Sequence, residues 1–272
     1  MKKEKISVKE RMNHFSQYGI YLAFLALVVL FSIFNNKFLT VSNLLNVVRQ
    51  VSFNAIIAMG MFMVILTGGI DLSVGSVLAI SAVVTATFVK IGNANLPVLV
   101  AVLIGLAIGA VCGLFNGFFI TKGKLAPFIV TMVSMTMARG AAQLFTKGRP
   151  VSGLLESFDF IGTGYWLGIP VPIYIMLFVT LLTYFILNWT KLGRYIYAVG
   201  GNASAAEASG IRVNRVKMFV YTYSGIMAAL VGVVMTARLN SASPVLGDGY
   251  ELDAIAATVI GGTLLSLPLM WQ

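Results

Sequence analysis

The sequence predicts an all-α protein, a polytopic bundle of membrane-spanning helices with broken or re-entrant segments. Three observations predict it. Of the 272 residues, 58% are hydrophobic and only 10% are charged, with a mean hydropathy of +0.92. A soluble domain carries about 25% charged residues, so this chain cannot cover a water-facing surface and its solvent is lipid. Apolar stretches recur at 17–36, 44–66, 72–89, 97–121, 126–145, 170–190 and 218–238, and an eighth starts near Leu252. Each is close to the ~20 residues that a helix needs to cross a bilayer. Finally, Gly68, Gly69 and Asp71 interrupt the apolar pattern between the second and third stretches, where an unbroken helix is not expected.

The N-terminus, Met1 to Tyr18, is basic and polar, and an apolar run follows to about Phe34. That run is too long for a signal-peptide core and no small-residue cleavage site follows it, so it reads as a retained first span. Loop charges then set the orientation. With the N-terminus inside, the inner segments hold Lys2, Lys3, Lys5, Lys9, Arg11, Lys122, Lys124, Lys191, Arg194, Arg212, Arg215 and Lys217. The outer loops hold only Lys37, Lys90, Lys147 and Arg149, while Arg49, Arg139 and Arg238 lie in or beside spans. Twelve against four is the bias of the positive-inside rule. The same loops explain a net charge of +10 without nucleic acid, since no stretch interleaves basic and aromatic residues. One cysteine, Cys112, and one histidine, His14, make neither a disulfide nor a Cys/His metal site.

The fourth span carries Gly105, Gly109, Gly113 and Gly117, a small residue at every fourth position on one face. Such a ridge lets a second helix approach closely, and packing is its expected role. Asn116 beside it has two open readings, a hydrogen bond across that interface or a place on a polar path.

Three segments carry functional expectations. In Thr67-Gly68-Gly69-Ile70-Asp71-Leu72-Ser73 two glycines break the helix, and Asp71 or Ser73 can accept the N–H groups that open the third span. Broken backbone at membrane depth needs protein or water around it. Asp71 is therefore either a helix cap or part of a polar path, an ionisable group in a span being costly. Between spans six and seven, Ser204 and Glu207 have capping-box spacing and Gly210 is a C-terminal stop, which predicts a helix of little more than one turn. It is either an ordinary interfacial loop or a small smooth helix that docks in a partner's groove. Near the chain end, Gly261-Gly262-Thr263-Leu264-Leu265-Ser266 repeats the Gly-Gly-x-x-Leu-Ser spacing of 68–73, as internal repeats of transporters do.

At these segments the sequence resembles the permease subunits of ribose-type ABC sugar importers. The resemblance rests on Ile65 to Gly75, on Asn116-Gly117 with Pro127 to Thr131, on Gly200-Gly201-Asn202 through Ser209-Gly210-Ile211, and on Tyr250 to Ala257. It implies an importer-permease fold spanning 1–272 as a single transmembrane domain, with 191–217 as its cytoplasmic coupling loop, in the bacterial inner membrane. It implies a permease homodimer, an ATPase subunit below that binds ATP and magnesium, and a periplasmic or lipid-anchored sugar-binding protein outside. This chain would itself hold no cofactor and catalyse no reaction. Gly200, Gly201, Asn202, Ser204, Ala205, Ala206, Glu207, Ser209 and Gly210 would dock on the ATPase. Asn54, Gly68, Gly69, Asp71, Ser73, Asn116 and Thr131 would lie near the translocation path.

After Thr263 the chain departs from the family pattern, with Pro268 where a glycine-rich turn belongs. The expectation is a domain incomplete at its C-terminal end, by truncation or frameshift, that assembles poorly. Two other classes compete. An ion-coupled secondary transporter would want ionisable groups deep in its spans, and only Asp71, Arg49 and Arg139 come close. A membrane enzyme would want paired carboxylates or a metal-ligand set, and none is spaced for it. Within the ABC class the alternative is a branched-chain amino-acid permease. The chain has no G-x-x-x-x-G-K-[ST] phosphate loop, so ATP would bind elsewhere.

Overall fold

The computed structural model describes residues 8–93 and 96–261. Those residues form two units, one up to Val48 and one from Arg49, and the division falls within a helix. The first unit contains α1 (Val8–Phe34) and the first turns of α2 (Val41–Leu66). Its apolar stretch Leu22–Phe34 leaves Phe24, Ile33 and Phe34 exposed, a surface suited to lipid. Thr40 and Asn43 order the start of α2, the Asn43 amide donating to the Phe38 carbonyl at 2.8 Å.

The second unit is built around α10 (Val213–Leu239), with α3 (Val74–Val89), α4 (Val98–Thr121) and α5 (Pro127–Thr146). α10 packs most extensively on α4, through the glycine ridge. A methyl at Gly117 would lie 2.9 Å from the Met218 Cα, and one at Gly109 or Gly113 would overlap the backbone of Gly225 or Tyr221. Close backbone approach is how helices gain contact in lipid, where no hydrophobic force drives them together. The expected packing role of the ridge is therefore what the structure shows.

Among the described residues five helices are long and apolar enough to cross a membrane: α2, α4, α5, α10 and α7 (Val171–Trp189). α3 differs. Its 16 residues make a rod of about 24 Å at ~1.5 Å per residue, short of a ~30 Å hydrocarbon core. Its side chains are nearly all buried, with Val74, Leu78, Ala82 and Val89 fully enclosed. The break before it is the one that the two glycines predict, but its short length and full burial are not what a separate membrane span at 72–89 leads one to expect. By contrast α4, α5 and α7 expose broad apolar faces, for example Leu103, Val111, Phe118, Phe178 and Phe185.

One end of this unit is closed by short irregular pieces, in segments where the sequence predicts loops. They are β1 (Val151–Ser152), α6 (Glu156–Thr163), the hairpin of β2 (Tyr165–Trp166) with β3 (Ile169–Pro170), and β4 (Ser241–Ala242). β1 pairs antiparallel with β4, Val151 opposite Ala242. Asn240 ends α10 in a left-handed conformation and locks the corner. Its Oδ1 accepts the Leu154 N–H at 3.0 Å and its Nδ2 donates to Asp159 at 2.8 Å. At the other end lie α8 (Lys191–Gly201) and α9 (Ala203–Ala208), and α11 (Tyr250–Ile260) begins the last segment. The repeated Gly-Gly-x-x-Leu-Ser motif and the departure after Thr263 fall at 261–272, almost wholly outside the described residues.

Candidate functional site

The break between α2 and α3 is a Schellman motif followed by an aspartate turn. Gly68 adopts φ +73, its N–H donates to the Ile65 carbonyl at 2.9 Å, and the Gly69 N–H reaches back to Val64 at 3.1 Å. A left-handed residue after the last helical turn satisfies carbonyls that would otherwise be orphaned, and glycine adopts it at least cost. Gly69 has a different reason to be glycine, because a methyl there would overlap the Tyr221 hydroxyl and press on Val64.

Beyond the glycines the chain buries a carboxylate. Asp71 is 1% exposed. One of its oxygens accepts the Ser73 N–H at 3.0 Å and the Ser73 hydroxyl at 2.6 Å, and the other accepts the Ser224 hydroxyl at 2.8 Å. Asn116 then donates its amide to Ser73 Oγ at 2.9 Å, and the Tyr221 hydroxyl reaches the Ile70 carbonyl at 3.3 Å. A buried charge is tolerated only when it is hydrogen-bonded, and donors to an ionised acceptor make the stronger bonds. This one network therefore ties the break to α4 through Asn116 and to α10 through Ser224 and Tyr221. Both open readings of Asp71 and Asn116 meet here. Asp71 does take the first N–H before α3, Asn116 does bond across the helix interface, and both are buried among the described residues.

The structure brings Gly68, Gly69, Asp71, Ser73 and Asn116 together but not the other two residues expected near the path. Thr131 is buried, yet its hydroxyl donates to the Pro127 carbonyl at 2.9 Å within its own helix. Asn54 lies half-buried on α2, and its Oδ1 has no partner among the described residues. Ser224 and Tyr221 are members that sequence reasoning missed. They sit in an apolar helix 150 residues downstream, and nothing in their spacing marks them.

The segment 191–217 is more helical than expected. α8 is amphipathic, with Ile196 and Val199 buried and Tyr195 and Tyr197 exposed. Thr190 caps it, its Oγ1 accepting the Gly193 N–H at 3.1 Å. The signal for it was present: Thr190 followed by Leu192, Ile196 and Val199 at helical spacing.

α9 forms where a short helix was expected, but its cap differs. Asn202, not Ser204, is the N-cap, with Oδ1 accepting the Ala205 N–H at 2.9 Å. The Ser204–Glu207 capping box does not form, because the helix starts at Ala203 and places Ser204 inside its first turn. Asn202 is as good a cap as serine, and its position directly after α8 fixes the start. The stop is the expected one. Gly210 has φ +84, its N–H donates to Glu207 at 2.9 Å, and Ile211 N–H reaches Ala206 at 3.0 Å.

Of the nine residues expected to dock on an ATPase, seven are exposed: Gly201, Asn202, Ser204, Ala205, Glu207, Ser209 and Gly210. Gly200 and Ala206 are buried and face the protein itself. Gly200 abuts the other end of the site. A methyl on it would overlap the Leu66 carbonyl oxygen, so α8 rests directly on the last turn of α2 before the break.

The family described as branched-chain amino acid transport system, permease component, matches residues 43–269. The chain is 49% identical over 249 residues to a ribose import permease protein of Haemophilus influenzae, covering 90% of this chain and 76% of that one. It is 46% identical over 272 residues to the ribose import permease protein of Bacillus subtilis, covering 98% and 84%, and 47% identical over 249 residues to that of Escherichia coli K12, covering 90% and 77%. No solved structure matches it. A multi-pass helical membrane protein whose buried break and adjoining helical loop lie within a match of this length belongs to that family of transport-system permease components.

Proposed function

We propose that this chain is the membrane permease of an importer driven by ATP hydrolysed on a separate subunit, and that its cargo is a ribose-like monosaccharide. The observation that carries this reading is the identity of 46–49% with ribose import permeases over 90–98% of the chain. The family description also names branched-chain amino acids, but the relatives at this identity are named for ribose.

Its partners in this reading are an ATPase subunit holding ATP and magnesium, a secreted sugar-binding protein, and a second copy of the chain. In this reading the N-terminus and the α8–α9 segment face the cytoplasm of a bacterial inner membrane, which the basic residues of 191–217 support. The exposed residues of α9 meet the ATPase. Arg212 and Arg215 line a cavity of about 300 Å³ beside Gly210, a place for acidic side chains of that partner. A push on α9 passes through α8 to the end of α2, because Gly200 leaves no gap above Leu66. The Asp71 network then carries it to α4 and α10.

The test is uptake of labelled ribose into proteoliposomes holding this chain with its ATPase and binding protein. ATP-dependent accumulation is expected. Uptake that persists without the ATPase and collapses with an uncoupler would establish an ion-coupled transporter instead. The orientation has its own check: in a Cys112→Ala background, Ser204→Cys is expected to resist impermeant thiol reagents in intact cells.

A further inference from the structure

One helix of the second unit carries a polar stripe that the network above does not use. Thr136, Arg139, Gly140 and Gln143 on α5 follow one another at i, i+3, i+4 and i+7, so they share a face. Thr136 and Gln143 are exposed and Gly140 has no atom within 4 Å of the position a methyl would take. In a helix that crosses a bilayer, such a stripe facing lipid would leave the Gln143 amide and the Arg139 guanidinium without the partners they need, at several kcal/mol for an unsatisfied group. It therefore faces water or protein.

The structure places a cavity of about 390 Å³ on that stripe, closed on one side by Val245 and Asp248 of the loop between α10 and α11. Arg139 builds its wall. Its Nη1 donates to the carbonyls of Pro244 and Leu246, both at 2.9 Å, which anchors the loop to α5. Its Nη2 has no hydrogen-bond partner among the described residues and stands 3.9 Å from an Asp248 carboxylate oxygen. The Thr136 hydroxyl donates to Met132 in its own helix, which leaves its oxygen as an acceptor toward the cavity. The 27 residues of α10 separate this notch from α8 and α9, at about 40 Å for ~1.5 Å per residue. It lies toward the end of the bundle opposite the coupling segment.

We infer that this notch is a contact site for the hydroxyl groups of the transported monosaccharide, an inference that rests on the sugar-import reading above. The chemistry matches in three respects. A guanidinium donor, a primary amide, a hydroxyl oxygen and a carboxylate acceptor are grouped where a polyol, each of whose hydroxyls both donates and accepts, can bond to several at once. Arg139 and Asp248 together carry no net charge, which suits a neutral cargo. The cavity falls within the ~300–1,000 Å³ of ordinary small-molecule pockets.

The experiment uses proteoliposomes of the complete importer, with a Cys112→Ala permease as background. Gln143→Cys and Thr136→Cys are labelled with a charged, membrane-impermeant thiol reagent, and Ala141→Cys on the opposite face of α5 is the control. Fast labelling at Gln143 and Thr136, slow labelling at Ala141, and slowing by ribose during ATP-driven turnover are expected. Gln143→Leu, an exposed change that disturbs no packing, is expected to lower ribose uptake about 3- to 10-fold, the worth of one lost hydrogen bond. It should leave association with the ATPase and the binding protein unchanged. Absent labelling, as when a second copy or lipid covers the stripe, overturns the inference. So does labelling that ribose leaves unchanged, or protection by leucine in its place. Absence of ribose uptake by the unmodified importer would instead overturn the sugar-import reading itself, so the two failures are distinguishable.

Discussion

The chain stops a helix in the same way at Gly68 and at Gly210, and the two sites have little else in common. Both glycines are left-handed, and both sit at the same place in a Schellman motif, with the 5→2 and 6→1 bonds formed. Gly68 is itself exposed, but the chain after it is enclosed: Gly69 touches Tyr221, and Asp71 is held by Ser73 and Ser224. Around Gly210 a methyl would meet nothing within 4 Å. One local signal thus serves a buried junction that cannot move without its neighbours and an exposed tip that is available to a partner. The difference comes from what packs on the residues that follow the glycine, and a four-residue motif does not specify that.

Substitutions can break this contrast, and the largest effect belongs to the enclosed site. Asp71→Ala leaves the Ser73 N–H and the Ser73 and Ser224 hydroxyls without their acceptor. At about 1–3 kcal/mol for each buried donor left unsatisfied, the expected loss is roughly 3 kcal/mol or more. Thermal unfolding of the detergent-solubilised protein should show a lowered midpoint, with Asp71→Asn in between. A midpoint equal to that of the unmodified chain would mean that the network does not hold the break.

Gly200→Val probes the joint between the two regions. Its side chain meets the Leu66 carbonyl, a backbone atom that no rotamer change can move aside. Overpacking of this kind costs about 1–3 kcal/mol. The protein should still accumulate in the membrane and co-purify with the ATPase, while ATP-driven ribose uptake is lost. Retained uptake would remove α8 from the coupling route.

At the exposed site the effects are smaller and local. Gly210→Val meets no clash and costs only the left-handed backbone, about 1–2 kcal/mol. Folding in the membrane should be unaffected, while the yield of ATPase recovered with the permease falls. Normal recovery would show that the end of α9 does not shape the docking surface.

The smallest effect sharpens the account of the cap. Asn202→Ala is expected to weaken α9 by about 1 kcal/mol. Ser204→Ala, inside the first turn, should be neutral or slightly favourable, since alanine is the better helix former. Hydrogen exchange of the Ala205 and Ala206 amides distinguishes them: faster exchange in Ser204→Ala than in Asn202→Ala would restore the Ser204 cap.

Sequence alone determined the features whose physics is local or one-dimensional. The span positions followed from apolar length, and α2, α4, α5 and α7 begin or end within three residues of their expected bounds. The glycine stops followed from backbone stereochemistry, and the packing ridge of α4 from a spacing of four. α8 has a local signal as well, in Thr190 and the apolar spacing behind it, within a segment expected as a loop. The cap of α9 is not fixed by spacing, because two residues three apart fit a capping box equally well whether or not the helix begins there; the end of α8 decides the start. Tertiary structure alone decided which polar residues meet. Ser224 bonds to Asp71 across 153 positions, and Arg139 to the carbonyls of Pro244 and Leu246 across more than 100. Thr131, which the resemblance groups with Asp71 and Asn116, satisfies its hydroxyl within its own turn. A polar side chain in a membrane helix must find a partner, but its type does not say which one. The choice is made by which helices the glycines allow to lie side by side.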